Sequence, residues 1–109
     1  MTNVTLRLAD LRDSQPRRLV VDGLPVAVVR IGDEVFAVDD VCSHAEVSLS
    51  EGEVTGCQIE CWLHGSRFDL RTGDPSGPPA FEPISTYPVQ IEGHGDEAIV
   101  LVAISEEAR

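Results

Sequence analysis

The sequence predicts an all-β domain, and three observations carry that reading. Short stretches alternate apolar and polar residues, as half-buried strands do. Glycine-bearing turn signals recur between them. No segment sustains a helical period. In chain order, residues 4–8 alternate as a strand, and residues 9–14 have room for one helical turn. Residues 18–21 and 25–31 flank Asp22-Gly23-Leu24, a hairpin turn, and Pro25 suits an edge or the start of its strand. Residues 35–38 follow Gly32-Asp33, a second hairpin signal. Residues 53–60 read as one strand, within which Cys57 is expected to be a small buried apolar residue. Residues 84–91 and 98–104 read as closing strands around the loop at 93–96, where His94 belongs to a solvated turn. Residues 106–109 are expected to fray.

Composition narrows the function. The 109 residues carry 19 acidic and 8 basic side chains, for a formal net charge of −11. Nothing offers a basic stripe to phosphates, so nucleic acid is not an expected partner. An acidic surface confers solubility, and it also steers a protein toward electropositive faces on partners. There is no apolar run long enough to span a bilayer and no start resembling a signal peptide, so no membrane role is expected and the chain is read as soluble and cytoplasmic. Three cysteines make no disulfide framework, which suits a reducing compartment. No Gly-rich dinucleotide motif and no 2-His-1-carboxylate set is visible, so no catalytic residue is expected.

The most informative pattern is Cys42-Ser43-His44, sixteen residues, then Cys61-Trp62-Leu63-His64. Each pair offers one sulfur and one imidazole. Four such ligands can close a tetrahedral zinc site. They can equally hold a [2Fe–2S] cluster with both cysteines on one iron and both histidines on the other.

The pattern resembles the Rieske signature, C-x-H, about sixteen residues, C-x-x-H. The resemblance extends to Ser48-Leu-Ser-Glu-Gly52, His64-Gly-Ser-Arg-Phe-Asp69, Leu70-Arg-Thr-Gly73 and Gly77-Pro-Pro79, and is densest over residues 41–79. It points to the small Rieske ferredoxins that serve aromatic-ring-hydroxylating dioxygenases. That resemblance implies a Rieske iron–sulfur fold: an antiparallel sandwich or barrel base from residues 1–40 and 80–105, with an inserted cluster-binding subdomain at 41–79. It implies a [2Fe–2S] cluster on Cys42, His44, Cys61 and His64, delivered by two hairpin-like loops. Ser66 would donate a hydrogen bond to the cluster, or else cap a turn after Gly65; Pro78 would lie in a proline loop covering the cluster, or else in a stiff connection back to the base.

Other members of the wider family carry a disulfide between the cluster loops. The matching positions here are Val47 and Leu63, so it cannot form. Phe68 stands where high-potential relatives have a tyrosine donor. Rieske centres span roughly −150 to +300 mV, and these two absences place this chain in the lower half. The implied role is a soluble, monomeric one-electron carrier between a flavoprotein ferredoxin reductase and a terminal oxygenase, not an enzyme. Alternatives are a Rieske ferredoxin of another pathway, such as iron–sulfur assembly, a nitrite reductase small subunit, or a structural zinc module. Trp62 is open to loop packing or partner contact, and Arg67 and Arg71 to pairing with Asp69 or glutamates.

Overall fold

The computed structural model describes residues 2–42, 47–63, 65–76 and 82–104. Ten strands form three antiparallel sheets: β1 (Thr2–Arg7), β2 (Arg17–Val21), β3 (Leu24–Ile31), β4 (Glu34–Asp39), β5 (Val54–Thr55), β6 (Gln58–Glu60), β7 (Arg67–Asp69), β8 (Thr86–Tyr87), β9 (Val89–Glu92) and β10 (Ile99–Ile104). The sheets run β1-β10-β9, β2-β3-β4-β8 and β5-β6-β7. No α-helix occurs among the described residues; single 3₁₀ turns lie at Leu8–Asp10, Leu49–Glu51 and Gly95–Glu97. The all-β expectation holds.

β3 shows why the sequence folds this way. Its apolar run is nearly continuous because the strand is buried on both faces. Side chains alternate, so Leu24, Val26 and Val28 enter one core while Ala27 and Val29 enter another. Its partner β4 does the same, sending Val35 and Ala37 to the first core and Val38 to the second. The first core is closed by β10 and its flanks, through Ala98, Val100, Val102 and Ile104. The second is closed by Leu49, Ile59, Phe68, Leu70 and Ile84, together with Cys42 and Cys61. One sheet therefore serves as a shared wall between two cores, the second of which contains Cys42 and Cys61.

Both expected hairpins form. Asp22 and Gly23 both have positive φ (51° and 81°), joining β2 to β3 with Val21 opposite Leu24. This is the pair of left-handed positions that a tight two-residue hairpin requires. Gly32-Asp33 joins β3 to β4 with Ile31 opposite Glu34.

Several expected elements are redrawn. The helical turn expected at 9–14 is the 3₁₀ turn at Leu8–Asp10. The single strand expected over 53–60 is two strands, because Gly56-Cys57 is a two-residue turn between Thr55 and Gln58, with Gly56 at φ 60°. Cys57 is thus a partly buried turn residue against the second core, not a buried strand residue. The strand expected over 84–91 breaks at Pro88 and changes sheet, β8 pairing with β4 and β9 with β10. Proline lacks the N–H a continuous ladder needs, and its carbonyl accepts instead from Ala103 N–H (3.0 Å). β7 was not anticipated, since three residues carry too little alternation to read. His94 is exposed beside the Gly95–Glu97 turn, as expected.

Candidate metal centre

The two cysteine loops are built alike. Beyond β4, Val41 bridges Ser48, and the Cys42 N–H donates to the Val47 carbonyl (3.1 Å). Beyond β6, the Cys61 N–H donates to the Ser66 carbonyl (2.6 Å), and the Gly65 N–H donates back to the Cys61 carbonyl (3.0 Å). In each loop the cysteine closes the turn onto the residue five positions later. Gly65 at φ 77° is the left-handed position that lets the second loop reverse. The first loop is further fixed by Asp40, whose carboxylate accepts from Ser50 N–H (2.6 Å), Ser50 Oγ (3.0 Å) and Arg18 Nε (2.9 Å).

Cys42 and Cys61 are buried and belong to one apolar cluster, so the fold brings the two sulfurs of the motif to the same core. No disulfide joins any of the three cysteines. Ser66, bonded to Cys61 through its backbone, is also buried, and its Oγ has no hydrogen-bond partner among the described residues. A buried unsatisfied hydroxyl is costly to leave unmatched. Its side chain does not cap the turn; the turn bond uses its carbonyl. An acceptor supplied by a bound group would resolve the hydroxyl, and a sulfur-rich cluster on two neighbouring thiolates is such an acceptor. The residues present therefore fit a cluster. His44, His64 and Pro78 lie outside the described residues.

Surrounding residues have other work. Phe68 is fully buried in the second core and offers no hydroxyl there. Arg67 approaches Glu60 (3.9 Å), while Arg71 approaches Glu34 (3.5 Å) and sits 5.5 Å from the centre of the Phe36 ring. These pairs are exposed and contribute little stability. Trp62 and Leu63, between Cys61 and His64, are 51% and 40% exposed. Burial, the largest influence, raises the Cys57 thiol pKa, which argues against a reactive thiolate there. What sequence reasoning missed is Asp40, because its partners Arg18 and Ser50 lie 22 and 10 residues away.

The model of the Rieske [2Fe–2S] domain matches residues 2–88. The chain belongs to the Rieske [2Fe–2S] domain family. Its cofactor is accordingly a Rieske-type [2Fe–2S] cluster. It is 44% identical over 82 residues to the anthranilate 1,2-dioxygenase ferredoxin subunit of Burkholderia cepacia, covering 75% of this chain and 76% of that one. Among solved structures, the ferredoxin of carbazole 1,9a-dioxygenase from Nocardioides aromaticivorans IC177 superposes with a TM-score of 0.84 at 40% identity, covering 96% of this chain and all (100%) of that one. A chain in the complex of reduced oxygenase and oxidized ferredoxin of carbazole 1,9a-dioxygenase gives 0.79 at 33% identity, covering 90% and 99%. The Rieske fold expected from the ligand motif is the one observed.

Proposed function

We propose that this chain is a one-electron carrier that takes electrons from a flavin-dependent ferredoxin reductase and passes them to a terminal Rieske non-haem iron oxygenase. It is a component of such a system and not its catalyst. When bound, the cluster supplies a single-electron redox couple whose potential is raised by neutral imidazole ligands. The chain's own residues hold it: Cys42 and Cys61 with His44 and His64 as ligands, Ser66 as hydroxyl donor, and Pro78 in a covering loop. Residues 1–40 and 80–105 serve as the base and residues 41–79 as the cluster-binding lobe of a single domain. The carrier works as a monomer in the cytoplasm. Among the described residues no helix is long and apolar enough to cross a membrane.

The observation that carries this reading is the matched pair of cysteine-closed loops converging on one core, with the orphaned Ser66 hydroxyl beside them. Its relatives are named as ferredoxin components of dioxygenase systems, which supports the choice of partners. Exposed Trp62 and Leu63 give the second loop an apolar surface for docking, and the charge of −11 favours an electropositive partner face.

Electron paramagnetic resonance of the dithionite-reduced protein tests the cofactor. A rhombic signal with average g below the free-electron value is expected; a colourless, silent, metal-loaded protein means zinc and removes the carrier role. Stopped-flow mixing with reductase and oxygenase then tests the partners. Reduction by the first and reoxidation by the second, both slowed by salt, is expected.

A further inference from the structure

We infer that Asp40 is the positioning residue of the first ligand loop, and that its charge, shared with Arg18, lowers the reduction potential of the cluster. The inference rests on the ligand assignment of Cys42 and His44. Asp40 lies just beyond β4, two residues before Cys42, with a side chain fully buried (0% exposed). Its polar groups tie together three pieces of chain, at Pro25, Arg18 and Leu49-Ser50. Its N–H donates to the Pro25 carbonyl in β3 (3.1 Å), and its own carbonyl accepts from Leu49 N–H (3.1 Å). Oδ1 accepts from Ser50 N–H (2.6 Å), while Oδ2 accepts from Ser50 Oγ (3.0 Å) and from Arg18 Nε (2.9 Å).

These bonds fasten the strand leaving for the loop to the strand returning from it, and both to β2 and β3 of the base. The segment returning from the loop enters the 3₁₀ turn at Leu49–Glu51, whose early N–H groups have no partner within the turn. Asp40 satisfies two of them from across the loop. With the Val41–Ser48 bridge and the Cys42–Val47 bond, the base of the loop is tied on both sides, so Cys42 is held by geometry set at Asp40.

An ion pair with one end buried and the other half-exposed is a weak device for stability, because desolvation of the carboxylate offsets much of the attraction. Apolar residues of similar volume would hold the two strands together as well. The pair achieves direction: a carboxylate with two fixed oxygens dictates where Ser50 and Arg18 sit. It also places a negative charge near the site, inside a core of low polarity where charges act over longer distances. Negative charge opposes adding an electron. Arg18, half-exposed at the outer end, offsets part of that effect.

Three variants of the cluster-loaded protein test the inference, read by protein-film voltammetry and by the rate of cluster loss to a chelator. Asp40→Asn keeps the shape and removes the charge; its potential should move up and its cluster should be lost several-fold faster. Arg18→Ala leaves the carboxylate uncompensated and should move the potential down. Ser50→Ala keeps both charges, so it should speed cluster loss with little change in potential. A merely structural role would give shifts of one sign that follow stability. Should Asp40→Asn fail to fold, Arg18→Ala decides alone, since its site is half-exposed. Potentials indistinguishable from the parent in Asp40→Asn and Arg18→Ala overturn the inference. Absence of the Rieske signal from the parent protein would instead overturn the ligand assignment beneath it.

Discussion

The two cores share one wall and are built to different standards. On one side of β3 and β4, the core is closed by long ladders. Six residue pairs join β1 to β10, and six join β3 to β4. Its buried members are aliphatic apart from Tyr87. On the other side the sheet is β5-β6-β7, with strands of two or three residues. Two cysteines sit in its core, and Ser66, bonded to one of them through its backbone, has a buried hydroxyl. Strands this short do not hold a fold by themselves. The first core is complete as protein; with the cluster held on Cys42 and Cys61 as proposed, the second would be completed by it, and metal binding and local folding would be coupled there.

The largest effect should therefore come from Cys61→Ser. The side chain is nearly isosteric, yet it removes the sulfur proposed as a ligand from a fully buried position. Visible absorption and the reduced-state resonance signal should both disappear. Amide protection should collapse over residues 54–69 and persist in β1, β3 and β10. Uniform loss of protection across all three sheets would show that the two cores are a single cooperative unit and would break the comparison.

Next in size is a matched pair of truncations. Phe68→Ala in the cluster-side core should cost about 3–5 kcal/mol, and Leu24→Ala in the other about 2–5 kcal/mol. Urea denaturation of the loaded proteins measures both. Stability alone barely separates them; cluster loss does. Phe68 packs in the same cluster as Cys42 and Cys61, so its truncation should release iron well below the unfolding midpoint. Leu24→Ala should hold its cluster until the base unfolds.

The same contrast governs what was readable from the sequence. Much of the base was legible because its signals are local: Asp22-Gly23 and Gly32-Asp33 mark hairpins, and the flanking apolar stretches mark their strands. The metal-binding motif was legible because its chemistry is written in two residue types, Cys and His, at four positions with fixed spacing. Segments without a local signal were not. β7 is too short for periodicity, and Pro88 moves the chain between sheets, a matter of long-range pairing. Gly56 did announce the turn that places Cys57, since an isolated glycine inside a strand pattern signals a break. Asp40 could not be found locally, because its role exists only once Arg18 and Ser50 have been brought to it.

A smaller effect distinguishes the third cysteine. Burial raises the Cys57 pKa above its ordinary value, so less of it is thiolate at any given pH than in a free cysteine. Alkylation of the loaded protein by iodoacetamide near pH 8 should be slower than that of a cysteine in an unstructured peptide, and should accelerate as the pH is raised further. It should also leave the reduced-state signal intact. Fast modification accompanied by loss of the signal would place Cys57 with the ligands and not with the surrounding core.

The smallest change in fold should come from Ser66→Ala, which makes it the finest test of how the cluster completes its core. The turn bond from Cys61 goes to the Ser66 carbonyl, which alanine keeps. The hydroxyl has no partner among the described residues, so its removal breaks no bond within them. Stability of the loaded protein should fall by about 1 kcal/mol or less, the net worth of one hydrogen bond. The potential should nevertheless drop. A donor to a cluster sulfur favours the reduced form, which carries one more negative charge, so losing the donor favours the oxidised form. Phe68 supplies no hydroxyl in compensation, and the parent potential should itself lie in the lower half of roughly −150 to +300 mV. If voltammetry finds the same potential in Ser66→Ala as in the parent, the hydroxyl does not reach a sulfur, and its unpartnered burial is a cost that the fold bears without the cluster's help.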